Sequence, residues 1–337
     1  MIQIIQNEKD WTNFLQATKN FDFYHTYEYH KVRLKYGEEP WLISYTDANT
    51  KIALPFVKRQ IFDTEFFDLT SVHGYLGPAS KLDAENFDPS KFKGEFEKLL
   101  QKENIVSVFS KLNPYINHQE SVLDKLGTIE QVGELLYIDL TTDAVLQRQA
   151  YRKSVKNDVN KLRRSFTVRI AQTKEDIEAF IGIYLETMER VSADERFILG
   201  QDYFDILTKS KNFEAKILLV VSNSTGEIAA GSLSIITNGI VQGELMGTKN
   251  KFLPMSPAKL LYDEIRLLAN DLNLKYLNYG GGAGGREGSL YMMKSGFSKN
   301  HIPFKVWKYV VDPIAYDSLV PKKGKIKSNN FFPLYRS

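Results

Sequence analysis

The pattern of elements in this sequence occurs twice, and that constrains the fold more than any single motif. In the first pass "IQII" has the alternation of a short strand, while "DWTNFLQAT" and "TYEYHKVRLKY" carry apolar residues at helical spacing. "PWLISY" and "KIALPFVK" form a hairpin across the turn "TDANT", and "FFDLT" continues the strands. A helix in "PSKFKGEFEKLLQKE", a strand "IVSVF", a helix "HQESVLDKL" and a strand "VGELLYI" complete the unit. The second pass starts with the strand "TVRI", a helix in "EDIEAFIGIYLETMER" and a second helix near Tyr203–Ser210. The strands "AKILLVVS", "IAAGSLSIIT" and "IVQGELMG" follow, the first two joined by "NSTGE". A helix then opens at Ser256-Pro257, with serine expected to cap it and Leu261, Ile265, Leu268 and Leu272 as its buried stripe. After it come "KYLNY", a glycine loop, a short helix around Leu290–Ser295 and the strand "FKVWKYVVD". A repeat of this length implies duplicated domains rather than a solenoid. The expected division is 1–140, 141–312 and a tail at 313–337 in which "FFPLYR" docks as an apolar anchor.

Composition narrows the chemistry. A chain of 337 residues exceeds what one core usually covers, which agrees with two domains. Apolar residues make up 43% and charged residues 25%, as in a water-soluble globular protein, and no apolar run approaches a membrane span. The opening "MIQIIQNEKDWTNF" lacks the pattern of an export signal, so a cytoplasmic location is expected, with at most peripheral membrane contact. With no cysteine, thiolate nucleophiles, disulfides and Cys-based zinc sites are excluded, and the five histidines show no ligand spacing, so no metal is expected. A net charge of +3 gives no reason to expect DNA as a partner, but it allows a local anionic ligand such as a sugar nucleotide, CoA or the acceptor end of a tRNA.

Strand, two helices, three antiparallel strands, helix, strand, helix, strand is the element order of the GNAT acyltransferase fold. The pair of units resembles the FemABX aminoacyltransferases and the FemAB-like and BioF-like acyltransferases of envelope polysaccharide loci. The resemblance rests on "YRKSVKNDVNKLRRSFTVRI", "YLETMERVSADERFILGQDYF", "YGGGAGGREGSLYMMKSGF" and the terminal "FFPLYR". It implies an α/β chain with mixed sheets, built as two tandem GNAT-like units. The implied activity moves an acyl or aminoacyl group to an amine or hydroxyl of a cell-envelope polysaccharide or peptidoglycan precursor. No tightly bound cofactor is expected; the donor is acyl-CoA or aminoacyl-tRNA, and the acceptor a small-molecule or lipid-linked sugar or peptide. The long charged helical hairpin that several FemABX members use for tRNA contact is missing from this sequence. A non-catalytic tandem module that binds a sugar or peptide is the alternative.

Acyl transfer passes through a tetrahedral oxyanion, so the site needs a cation or N–H donors at the carbonyl and a group to take the acceptor's proton. Lys294, six residues after the glycine cluster 280–288, is the candidate cation, and the resemblance places a lysine at this motif near the reacting ends. Glu244 in "GELMG" and His301 are the candidate bases, with His73 in "SVHGYLGP" a further proton acceptor or substrate contact. Gly281 and Gly282 let a substrate lie close to the backbone, and Arg286, Tyr203, Tyr279 and Tyr291 are candidate substrate contacts beside them. Arg152, Lys153 and Lys156 crowd the polar face of a basic helix over 148–169 and suit phosphate, although a solvated face explains them equally. "GGGAGGREGS" lacks the Gly-Lys-Ser/Thr of a P-loop and the spacing of a dinucleotide fingerprint. Where CoA-dependent GNAT enzymes carry a glycine-rich pyrophosphate loop this chain has "GTKNKFLPMSPAK", leaving Lys249, Lys251 and Ser256 as candidate donor contacts.

Overall fold

A computed structural model describes residues 1–48, 50–82, 87–282, 288–321 and 331–337. Asn49 of the expected hairpin turn and the glycine-loop residues 283–287, Arg286 among them, lie outside the described residues. Two compact units are present: Met1–Val132 with Pro303–Ser337, and Gly133–Ile302.

In chain order the first elements are β1 (Ile2–Ile5), α1 (Glu8–Thr18), α2 (Tyr27–Arg33), β2 (Glu39–Asp47), β3 (Thr50–Gln60), β4 (Phe67–Thr70) and β5 (Ala79–Lys81). Next come α3 (Pro89–Lys102), β6 (Ile105–Lys111), α4 (Gln119–Val122), β7 (Thr128–Asp139), α5 (Ala144–Gln149), α6 (Lys153–Ser165) and β8 (Phe166–Ile170). The remainder are α7 (Lys174–Arg190), α8 (Gln201–Thr208), β9 (Glu214–Ser222), β10 (Ile228–Thr237), β11 (Ile240–Thr248), α9 (Ala258–Asp271), β12 (Tyr276–Gly280), α10 (Ser289–Lys294), β13 (Asn300–Val310) and α11 (Pro313–Leu319).

In the first unit the strand order is β1-β2-β3-β4-β6-β13, with β5 added along β3. The β4–β6 pair is parallel and the other pairs are antiparallel. Local signals start the helices: the Asn7 side chain accepts from the amide of Asp10 ahead of α1, and Asp88 caps α3 with Pro89 in the first turn. Phe92, Phe96 and Leu100 recur at helical spacing on α3 and are buried in the cluster that holds Trp41, Phe56 and Trp307. The C-terminal segment packs in the same unit, where fully buried Tyr335 lies with Ile61, Val106 and Leu319 and its hydroxyl meets that of Ser107 at 2.7 Å.

The second unit orders its strands β7-β12-β11-β10-β9-β8, antiparallel except for β11 beside β12. Helix α7 starts at a Thr173 cap and packs so closely on β11 that a Cβ added to Gly247 would sit 2.8 Å from the carbonyl oxygen of Ile183. Helix α9 sits in the cluster formed by Val155, Val159, Leu162, Val220 and Leu277, and its buried stripe includes Leu261 and Ile265. The expected serine cap of α9 is corrected. Ser256 adopts a left-handed conformation, its hydroxyl turns back to the Leu253 carbonyl at 3.4 Å, and no side chain caps the helix. Its backbone is already committed to closing the preceding turn, Asn250–Met255. Among the described residues, no helix is long and apolar enough to cross a membrane.

Candidate active site

In the second unit β11 and β12 run side by side for three residue pairs, Ile240↔Tyr276, Val241↔Leu277 and Gln242↔Asn278. Each strand then changes register against its outer neighbour. On β11, Leu233 of β10 faces Leu245 while Ser234 faces Gly243, so Glu244 is the extra residue of a bulge. On β12, Asn278 faces Tyr137 of β7 and Gly280 faces Leu136, so Tyr279 is extra there. A bulge bends its strand, and two on adjacent strands, just past the last shared pair, open the sheet into a fork. The root of the fork is pinned by buried amides: Asn278 Nδ2 donates to Gln242 Oε1 at 2.6 Å, and Asn278 Oδ1 accepts the Gly280 amide at 2.8 Å. Gly280 has φ +70°, a conformation that favours glycine.

The equivalent place in the first unit is closed. There β4 and β6 pair from Phe67↔Ile105 to Thr70↔Phe109, and the pairing resumes with the parallel bridge Leu76↔Leu112. The Ser71 and Leu76 amides bond to the Phe109 and Lys111 carbonyls, and the Asn113 amide to Leu76.

Two groups of polar side chains flank the fork. Glu244 is partly buried and accepts the hydroxyl of Tyr203, from α8, at 2.8 Å. By strand register Glu244 stands two residues beyond the last pair, as Gly280 does on β12. On the β12 side Lys294 Nζ donates to the Gly281 carbonyl at 2.9 Å. Burial lowers the Lys294 pKa from its ordinary value to about 8. Gly281 also lies against β7: a Cβ there would be 3.2 Å from the Glu134 carbonyl oxygen. One helical turn before Lys294, the Tyr291 hydroxyl meets His301 Nδ1 at 3.0 Å, and Glu134 Oε2 lies 3.2 Å from the same nitrogen. Gly282 follows, partly buried, at the edge of the described loop.

Other sequence candidates fall elsewhere. Tyr279 is buried in the core, its hydroxyl on the Tyr262 carbonyl at 2.9 Å, so it packs and offers no face to a ligand. His73 is an exposed residue of the first unit. Before α6, Arg152 reaches the Ser295 hydroxyl at 3.2 Å; on that helix Lys156 reaches the Gln149 carbonyl at 3.2 Å, and Lys153 is exposed. The arginines nearby serve the interior: Arg148, Arg163 and Arg266 converge on buried Asp263, whose carboxylate they hold below its usual range against the cost of burial.

The turn before α9 is already satisfied from within. The Asn250 amide donates to Glu186 at 2.7 Å, Arg190 spans the Thr248 carbonyl and the Asn250 side chain, and the Phe252 and Ser256 amides bond inside the turn. Lys251 is paired with Glu227, while Lys249 is partly buried at the head of the turn. Ser256 lines a cavity of about 250 Å³ with Lys161, Lys259 and Asp158, and the last two form an ion pair at 2.6 Å. Sequence reasoning missed Gln242, Asn278, Glu134, Glu186 and Arg190. Nothing in their local pattern separates them from ordinary strand and helix positions.

Comparison with known proteins bears on the fold and the domain family. Residues 149–287 match the acetyltransferase (GNAT) domain family, so the second unit carries a transferase domain that includes the fork. A comparison with curated protein sequences gives no match. Among solved structures the chain is similar to FemX, with 10% identity and a TM-score of 0.71 over 94% of this chain and 99% of that one. It is also similar to L-PGS from Bacillus licheniformis, at 16% identity and TM-score 0.59 over 92% and 95% of the two chains. A conserved protein of unknown function from Bacteroides thetaiotaomicron aligns at 13% identity and TM-score 0.60, over 92% of this chain and all (100%) of that one. The chain therefore has the tandem GNAT fold expected from its repeated order of elements.

Proposed function

We propose that the protein transfers an acyl or aminoacyl group to an amine or hydroxyl of a cell-envelope precursor, with the reacting carbonyl seated in the fork of the second unit. The observation that carries this reading is the fork itself, with Lys294 and Glu244 on its two sides. A backbone opening at a strand end admits a flat acyl group, and the Lys294 ammonium meets the charge that grows on the carbonyl oxygen. Glu244, already holding the Tyr203 hydroxyl, suits an ammonium on the acceptor or on an aminoacyl donor. The first unit, with its strands zipped, offers no second opening of this kind.

Donor chemistry is weighed by the turn before α9. A CoA pyrophosphate held there would meet the Glu186 carboxylate on the Asn250 amide, and a like charge disfavours it. An aminoacyl-tRNA, which carries its acyl group on a terminal ribose without a pyrophosphate, escapes that conflict. The resemblance of the sequence to the FemABX aminoacyltransferases leads us to an envelope precursor as acceptor. The test is transfer from a panel of acyl-CoAs and aminoacyl-tRNAs to peptidoglycan and polysaccharide precursors, with wild type and Lys294→Met side by side. The variant should bind donor and lose about 10²–10³-fold in turnover. Equal turnover by both proteins removes Lys294 from the mechanism, and no transfer from any donor removes the reading.

A further inference from the structure

We propose that His301 is the base that takes the acceptor's proton, and that Glu134 and Tyr291 are positioning residues that fix its tautomer; this rests on the acyl-transfer reading above. Three elements bring the group together: Glu134 from β7, Tyr291 from α10 and His301 from β13. Both partners meet the same ring nitrogen, Tyr291 Oη at 3.0 Å and Glu134 Oε2 at 3.2 Å from Nδ1. An ionised carboxylate only accepts, so it selects the imidazole with its hydrogen on Nδ1, and that N–H is shared with the tyrosine oxygen. The opposite tautomer would set a nitrogen lone pair against the carboxylate. Nε2 is therefore left with its lone pair, the form a base needs.

The same group touches the fork. Gly281, whose carbonyl holds Lys294, lies against the Glu134 backbone, and Tyr291 and Lys294 are one turn apart on α10. Cation and base thus belong to one cluster at the end of β12, while Glu244 is occupied by Tyr203 on the other strand. In the step we infer, the acceptor's nitrogen or oxygen bonds to the donor carbonyl carbon as His301 Nε2 removes its proton. The electron pair of the carbonyl moves to the oxygen beside Lys294. Collapse breaks the bond to the leaving thiol or ribose oxygen, which takes the proton back from His301.

Two measurements test this on the full chain. The first needs no substrate: ¹⁵N NMR of histidine-labelled protein, with the His301 ring assigned by its loss in His301→Gln. Wild type should show hydrogen on Nδ1, and Glu134→Ala should move the population toward Nε2–H while the remaining histidines keep their resonances. Wild type with hydrogen on Nε2, or a ring unaffected by Glu134→Ala, overturns the positioning role. The second is steady-state transfer with the donor found active in the panel. His301→Gln should lower kcat on the order of 10²-fold or more with KM for the donor little changed, and Glu134→Ala should lower kcat by a smaller factor. Undiminished kcat in His301→Gln overturns the base assignment while leaving acyl transfer in place. Failure of wild type with every donor instead fails the acyl-transfer reading, and the base role with it, whatever the NMR result.

Discussion

Lys294→Met should make the second unit more stable at neutral pH, which is the reverse of what removing a hydrogen-bonded side chain usually does. Burial lowers the Lys294 pKa from 10.5 to about 8. At about 1.4 kcal/mol per pKa unit, holding the proton in the folded state costs roughly 3 kcal/mol. The sign follows from proton counting. Between the folded value and the unfolded one, the unfolded chain keeps a proton that the folded chain has released, so stability rises with pH across that window. Below about pH 8 both states are protonated and the cost is present in full. Methionine removes the charge and keeps the stem, but leaves the Gly281 carbonyl without its 2.9 Å donor, a loss of about 1–2 kcal/mol. The net expectation at pH 7 is a gain of roughly 1–2 kcal/mol, or several degrees in Tm. Urea denaturation of both proteins at pH 7, 8, 9 and 10 measures it. The gap should be widest at pH 7 and shrink toward pH 10, and taking the difference cancels other groups that titrate in that range. A variant less stable at pH 7, or a gap independent of pH, would show that Lys294 is not held at a desolvated site.

Acid should weaken the first unit through His25 and His30, which burial holds at about 4 and about 3 against an ordinary 6.5. Their contribution is complete above pH 6.5 and lost as pH falls toward 4, about 2 kcal/mol for each by pH 5, and denaturant midpoints at pH 8 and pH 5 would reveal its absence. Gly247→Val should destabilise by about 1–3 kcal/mol or more, because the added side chain meets the Ile183 carbonyl; a neutral calorimetric result would mean α7 can withdraw from β11. Asp263→Asn should cost about 3 kcal/mol or more by leaving three arginines around a neutral amide, whereas a loss under 1 kcal/mol would make the cluster superficial.

Much of the architecture was legible because local rules and tertiary packing agree. The helix from Pro89 to Lys102 announces itself through an Asp-Pro start and the Phe92–Phe96–Leu100 stripe, and it packs on that stripe. The candidate site was legible only where composition is unusual. Lys294 follows a glycine cluster, and the structure hydrogen-bonds it to one of those glycines. Tyr279 has the same sequence neighbourhood, but the bulge at that position turns its ring into the core. Glu134 is one charge in an alternating strand, and its meeting with His301 depends on pairing between segments far apart in sequence. Register at this precision is set by bulges, and although Gly243 and Gly280 hint at the two bulges beside them, a glycine does not say which distant segments the shifted strand will pair with.

The fork is a place where the sheet fails to finish pairing, and that has a consequence for anyone who tries to make the protein hardier. Stabilising substitutions are chosen because they extend regular structure, and along 243–245 and 279–281 the favoured ones would be β-branched residues that straighten the strands. In the first unit such changes meet strands that are already zipped. In the second they would heal the defect and close the fork, raising the melting point of a protein whose proposed acyl seat is gone. A thermostability screen run without an activity screen would select for that failure.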